Sequence, residues 1–319
     1  MPSQPTLGAV RSAPPTPEAL LRRLEWTVLK RLDGFLQGDY RTLWRGNGLD
    51  LADLREYQHH DDVRRIDWNV TARLQVPYVR EYTEDRELTA WFLLDLSPSI
   101  DFGSRNRKRD ISTEFVGTLG RAFTRHGNRV GAMLYGNTVD AVVPACGGRR
   151  HVLQLLHRLL TRPTATPAGG TRLAELIERA AASIGRRSTV FVVSDFISEP
   201  GWDKPLAQLA RRHEVVAVRL FDPLEMNMPD LGLVLMQDAE TGEQLFVDTG
   251  ARGFRARFAQ AAERREAELR EGLARAGVDT LELSTDDDVA DAILRFCDAR
   301  KQRAKLTAGA SLAVKKVMS

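Results

Sequence analysis

The chain has 319 residues, 43% of them apolar and 28% charged, which fits a folded globular protein with a large core and excludes full disorder. Its formal charge of +3 comes from one end: residues 301–319 hold Lys301, Arg303, Lys305, Lys315 and Lys316 and no acid, so the preceding 300 residues carry a net −2. A globally basic nucleic-acid-binding surface is therefore not supported, and two widely separated cysteines, Cys146 and Cys297, make neither a disulfide scaffold nor a zinc ribbon.

Residues 1–17, with five prolines, read as a disordered leader. They lack a basic segment followed by an apolar stretch, so they do not read as a secretory signal. A helix is expected over Pro17 to Leu36, with Leu20, Leu21, Leu24, Val28, Leu29 and Leu32 at helical spacing. Arg45 to Glu87 then packs ten acids and seven arginines among apolar and aromatic residues, and completes a segment spanning residues 18–87. Such mixed charge predicts a folded ion-pair network, with Arg55, Arg64, Arg65 and Arg73 facing Asp53, Asp61, Asp62 and Asp67. A self-satisfied scaffold is favoured there over a docking surface, and Trp68 is expected in its core or as a clamp. Short strands are expected over Val76 to Tyr82.

Residues 88–300 read as a second, α/β unit. Trp91-Phe92-Leu93-Leu94, ending at Asp95, has the continuous apolar character of a buried parallel strand. It is the longest apolar stretch, and is far short of the roughly 20 residues that span a bilayer; the expected compartment is the cytoplasm. Helices are expected at Arg107–His126, Arg149–Leu160, Leu173–Ile184 and Trp202–Arg212, and strands at Val130–Tyr135, Thr138–Val143, Thr189–Ser194 and Val215–Leu220. Gly136-Asn137 reads as a hairpin turn. A second hairpin, Leu233–Gln237 with Gln244–Asp248, precedes a charged helix, Phe254–Ala276. A last strand, Thr280–Leu283, and a closing helix, Asp286–Ala299, leave residues 301–319 as a basic tail, either disordered or a short docking segment. Strands alternating with helices predict a doubly wound, mostly parallel sheet with helices on both faces.

The sharpest motif is Asp95-Leu96-Ser97-Pro98-Ser99, which follows the first buried strand. Ligands of open parallel sheets sit at such strand ends. Gly169-Gly170-Thr171, before a helix, and Val193-Ser194-Asp195, at the end of the next core strand, offer a further hydroxyl and a second carboxylate. Asp95, Ser97, Ser99, Thr171 and Asp195 together form an oxygen-only donor set with few charges, which suits a hard cation: Mg²⁺ above all, or Mn²⁺. Neutral hydroxyls leave the ion electropositive, so an open coordination position favours an external carboxylate. The competing readings are helix capping for Thr171 and turn chemistry for both carboxylates. His59-His60-Asp61-Asp62 looks ligand-like, but adjacent side chains point apart.

The metal set resembles the metal-ion-dependent adhesion site of von Willebrand factor A domains, in which Asp-x-Ser-x-Ser, a distant Thr and a distant Asp coordinate the ion. A second resemblance is wider. Gly46-x-Gly48, Asp53-Leu54-Arg55-Glu56-Tyr57, Asp61-Asp62-Val63-Arg64-Arg65-Ile66-Asp67-Trp68, Thr71-Ala72-Arg73 and Val79-Arg80-Glu81-Tyr82 look like the domain-of-unknown-function-58 family, as do Asp222-Pro223-Leu224-Glu225 and Pro229. His60 departs from it, standing where such proteins usually carry Gly. The resemblance implies a von Willebrand factor A-like (Rossmann-like) fold. It also implies partnership with an AAA+ ATPase of the MoxR type, in chaperone-like maturation or remodelling of client proteins.

The expected function is a divalent-metal-dependent protein-binding adaptor rather than an enzyme. Ser97 lacks the flanking glycines of a hydrolase elbow, and no Walker A sequence occurs, so ATP use would belong to a partner. A metal-dependent hydrolase and a nucleic-acid-binding von Willebrand A protein stay open as alternatives.

Overall fold

The computed structural model describes residues 16–27, 53–58, 66, 68–81, 88–167 and 169–317. In chain order these form α1 (Pro17–Thr27), β1 (Asp53–Glu56), α2 (Trp68–Leu74), β2 (Tyr78–Glu81), β3 (Thr89–Asp95), α3 (Lys108–Arg125), β4 (Arg129–Tyr135) and β5 (Val139–Cys146). There follow α4 (Arg149–Thr161), α5 (Leu173–Ser183), β6 (Thr189–Ser194), α6 (Asp203–Arg212), β7 (Glu214–Phe221), β8 (Leu233–Gln237) and β9 (Gln244–Asp248). The chain closes with α7 (Arg252–Ala276), β10 (Asp279–Ser284) and α8 (Val289–Val317).

Six strands make one sheet in the order β10-β7-β6-β3-β4-β5. Every neighbouring pair is parallel except β4 with β5, the hairpin read from Gly136-Asn137. β3 and β6 read as unbroken apolar runs because helices cover both sheet faces. Their side chains alternate between two cores. Phe92, Leu94, Phe191 and Val193 join residues of α1, α3, α4 and α8 on one face. Leu93, Val190 and Val192 join residues of α5, α6 and α7 on the other. In the first core the Phe92 and Phe191 rings stack with centroids 5.3 Å apart, and Phe115 meets both edge-on.

Helix α1 buries Leu20, Leu21 and Leu24 in the first core. The close approach requires Gly117 on α3: a Cβ there would stand 2.6 Å from Leu24 Cδ1. The continuation of this helix toward Leu36 lies outside the described residues, as do His59 and His60. So do Arg64, Arg65, Asp61, Asp62 and Asp67 of the expected ion-pair block.

Two expectations are corrected. Trp68 is 70% exposed, neither core nor clamp, because it opens the short helix α2 on an outward face. The closing helix does not stop at Ala299 but runs to Val317, through most of the basic tail. That stretch contains no proline and is rich in Ala, Lys and Leu, which favour helix. The start agrees better: Asp288 Oδ1 accepts from Asp291 N at 3.0 Å, an N-cap bond.

Burial also sets the chemistry of the cysteines. Cys297, on α8, is buried, and desolvation pushes its thiol pKa up to about 12, while Cys146 is exposed. Iodoacetamide at pH 8 is expected to label Cys146 within minutes and to spare Cys297 until the protein is unfolded. Peptide mass spectrometry reads this directly, and equal labelling of both in the native protein would contradict the buried placement of α8.

The sheet order fixes where a ligand can sit. From β3 the chain moves to β4 on one side, yet β6 lies against the other side of β3. The loops leaving β3 and β6 therefore diverge, and the crevice at their carboxyl ends is the topological switch point.

Candidate functional site

Asp95 is the last residue of β3 and is fully buried. Its Oδ1 accepts from Ser97 N at 3.0 Å, closing a tight turn, and its Oδ2 accepts from Ser194 Oγ of β6 at 2.6 Å. Pro98 then starts a 3-10 turn, Pro98–Asp101, that folds Ser99 back. The Ser97 and Ser99 hydroxyl oxygens lie 3.2 Å apart, both buried. Both donors to Asp95 are neutral. Burial, and after it the negative charge of Asp195, push its pKa up to about 6 against those hydrogen bonds.

Asp195 follows β6 and is also buried. Its Oδ1 accepts from Ile197 N at 3.0 Å. The intervening Phe196 has φ of 58°, a left-handed conformation unusual for a bulky residue. Its ring packs on Trp202, centroids 5.1 Å apart, and its N donates to Ser194 Oγ at 2.9 Å, which together hold the strained turn.

Asp195 Oδ2 accepts from Lys108 Nζ at 2.6 Å. Lys108, the first residue of α3, is completely buried and also bonds Glu225 Oε1 at 2.7 Å. Burial works against its charge, but Asp195 and Glu225 outweigh it and hold its pKa above the ordinary lysine value. Glu225 is placed by Asp222: its Oε2 accepts from Asp222 N at 3.0 Å. Asp222 in turn ties the ends of β7 and β10 to the loop before α3, accepting from Ser104 N, Ser104 Oγ and Thr285 Oγ1 at 2.7, 2.8 and 2.6 Å. A cavity of about 350 Å³ opens beside Asp195 and Glu225 and extends to the buried pair Arg219 and Glu266.

Thr171 is buried at the same end of the sheet. Tyr135, the last residue of β4, steadies its loop: Tyr135 Oη accepts from Arg172 N and Tyr135 O from Leu96 N, at 3.0 and 2.7 Å. Glu199 N donates to Thr171 O at 2.8 Å, which joins the loops before α5 and after β6. The Thr171 hydroxyl donates to Glu240 Oε2 at 2.9 Å, and Glu240 sits in the β8–β9 turn. Asp95, Ser97 and Ser99 thus form one hydrogen-bonded group, and the charge of Asp195 acts on Asp95 from the neighbouring strand end. Thr171 reaches the same end of the sheet with its hydroxyl engaged by Glu240.

Four participants had no role assigned from sequence: Lys108, Ser194, Glu225 and Glu240. Lys108 did leave a signal. Arg107-Lys108-Arg109 places positive charge at the start of a helix, against its macrodipole, and such a run needs compensating acids. Glu225 stood in a recognisable motif without an assigned task. Glu240 had no signal, since a turn glutamate is ordinarily solvated.

The donor set is two carboxylates and three hydroxyls. Among the described residues no group of three or more His, Cys, Asp or Glu is placed to hold a metal, so a cation here must rely on hydroxyls. One pair of the set has a suitable spacing. Adjacent oxygens of an octahedron of radius about 2.1 Å lie about 3 Å apart, which is close to the Ser97–Ser99 separation of 3.2 Å. The Asp95 charge faces Asp195 and has only neutral donors, which is the electrostatic deficit that a divalent cation removes.

A family model described as "Protein of unknown function DUF58" matches residues 53–268, a span that includes all of these residues. The uncharacterized protein Rv1480 of Mycobacterium tuberculosis is 37% identical over 289 residues, covering 90% of each chain. Among solved structures, an aerotolerance-related membrane protein from Bacteroides fragilis aligns over 67% of this chain and 97% of its own at 15% identity, with a TM-score of 0.47. BatB from Bacteroides thetaiotaomicron aligns over 67% and 99% at 14% identity, with a TM-score of 0.40. No helix among the described residues is long and apolar enough to cross a membrane. From the family match and the relative that shares its sequence nearly end to end, the chain belongs to the DUF58 family of proteins of unknown function.

Proposed function

We propose that this protein is a von Willebrand factor A-like binding module that captures an acidic residue of a partner protein through Mg²⁺ or Mn²⁺. We further propose that it works beside a MoxR-type AAA+ ATPase in the chaperone-like maturation or remodelling of client proteins in the cytoplasm. The observation that carries the metal reading is Asp95: a buried carboxylate facing Asp195, held by neutral donors, next to two serine hydroxyls at octahedral spacing. The ATPase partnership rests on the family resemblance of the arginine-acid block.

In this reading Asp95, Ser97, Ser99 and Thr171 hold the ion. Asp195 acts through water, because its Oδ2 is already paired with a cation, the Lys108 ammonium, whereas Asp95 has only neutral donors. The ion supplies an electropositive point at which a carboxylate docks. The serines keep that point from being neutralised, and Lys108 holds Asp195 in place through its ion pair. A hydrolase would need a base, and the titratable group nearest Asp195, Lys108, is held protonated. Bound phosphates of a nucleic acid would meet Asp95, Asp195, Glu225 and Glu240.

Isothermal titration with MgCl₂ tests the reading. Wild type is expected to take up the ion, and Asp95→Ala to show no binding while keeping its circular dichroism spectrum. Equal Mg²⁺ affinity in the two proteins would sink the site. A pull-down with and without EDTA then identifies the metal-dependent partner.

A further inference from the structure

We propose that Glu240, at the tip of the β8–β9 hairpin, is itself a ligand of this cation, seated where a partner's carboxylate would otherwise dock. The inference rests on the metal-binding reading above and deepens it: the site is capped by the chain's own acid until an external acid displaces it.

The tip is built to present that side chain. Asp238 Oδ1 accepts from Glu240 N and Thr241 N at 2.8 and 2.9 Å, and Gly242 closes the turn with φ of 76°. Gly169 N donates to Glu240 O at 3.3 Å, stitching the tip to the loop that carries Thr171. The carboxylate then meets Thr171. Its Oε2 takes the Thr171 hydroxyl at 2.9 Å, while its Oε1 is buried with no hydrogen-bond partner. An anchoring role needs only Oε2 and would leave Oε1 in water. A buried carboxylate oxygen without a hydrogen bond, beside a hydroxyl of the donor set, has the placement of a metal ligand.

The rest of the hairpin is suited to release. Leu233, Leu235, Leu245 and Phe246 are exposed, and Val247 is the buried apolar anchor of its two strands. A two-stranded ribbon so lightly packed is marginal by itself. Because Glu240 is tethered, its effective concentration at the site is high, on the order of millimolar. A free small carboxylate therefore competes poorly, and a protein partner needs contacts beyond its acid.

Mn²⁺ binding by the full chain tests the assignment, read by electron paramagnetic resonance for affinity and by water-proton relaxation for inner-sphere waters. Glu240→Ala and Glu240→Gln are expected to bind Mn²⁺ at least about tenfold more weakly, and the bound ion to gain a fast-exchanging water that raises its relaxivity. Glu243→Gln, an exposed change on the same turn, is expected to match wild type. Glu240→Gln retains an oxygen for the Thr171 hydroxyl, so a merely anchoring Glu240 predicts wild-type behaviour in that variant. Wild-type affinity, or weaker binding without the added water, in the Glu240 variants would overturn the proposal while leaving the metal site intact. Absence of Mn²⁺ binding in wild type would overturn the metal reading, and this proposal with it.

Discussion

Replacing Asp95 with Asn is expected to stabilise the metal-free protein at neutral pH by about 1–2 kcal/mol while abolishing its response to Mg²⁺. The reason is that the Asp95 charge is a liability without a cation. It is fully buried, both its hydrogen-bond donors are neutral, and its pKa is pushed up to about 6 by burial and by Asp195. An aspartate in the unfolded chain titrates near about 3.9, and a tenfold change in proton affinity is worth about 1.4 kcal/mol, so the ionised group opposes folding by up to about 3 kcal/mol. The expected gain is smaller because an Asn amide cannot satisfy both the Ser97 N–H and the Ser194 hydroxyl as the carboxylate does.

The sign of the pH dependence follows. Between about pH 4 and pH 6 the native state binds the Asp95 proton and the unfolded state does not. Stability therefore falls as pH rises through that window, and the penalty is complete above it. Urea unfolding in EDTA at pH 4, 5, 6 and 7.5 measures it, and the difference between wild type and Asp95→Asn removes the titrating groups that do not interact with Asp95. The variant is expected to gain on wild type steadily up to about pH 6. Saturating Mg²⁺ is expected to reverse the order, since only wild type gains binding energy from it. A difference that is flat with pH would mean that Asp95 is already compensated.

How much of this was legible in the sequence depends on the range over which each feature is determined. β3, β6 and the helices between them were readable, because burial on both sides of a sheet writes a continuous local apolar run. The Asp95–Ser99 loop was readable because its turn bonds span two residues. The partners of that loop were not: Ser194 reaches Asp95 across 99 residues, Lys108 reaches Asp195 across 87, and Glu240 reaches Thr171 across 69. Sequence periodicity carries no information about such pairings, which the tertiary fold creates. Trp68 shows the converse error, since an aromatic residue in a charged block suggests burial, yet the ring at the start of the short helix α2 is exposed. The closing helix passes its expected end at Ala299 for a related reason: charge alone left the tail open between disorder and a docking segment, but its helix-forming residues extend α8.

Removing Lys108 is expected to have the largest effect on stability. Its side chain is 0% exposed, against 1% for Asp195 and 16% for Glu225, and its ammonium bonds both carboxylates. Breaking a buried ion pair from one side costs about 3–5 kcal/mol, because the remaining charges lose their compensation. Lys108→Met leaves two such charges and is expected to reach that range, a large share of the roughly 5–15 kcal/mol that holds a typical domain together. The triple variant Lys108→Met, Asp195→Asn, Glu225→Gln should recover much of the loss, since it removes the charges along with their partner. A second consequence separates this from a packing defect. Without the ammonium the crevice is more negative, so a divalent cation binds the native state more tightly. The rise in melting temperature on adding MgCl₂ should therefore be larger in Lys108→Met than in wild type, and it should vanish when Asp95→Ala is added. A cavity left by a deleted aliphatic stem would lower stability without enlarging the Mg²⁺ response. An unchanged response would show that Lys108 fills space at the site rather than setting its charge.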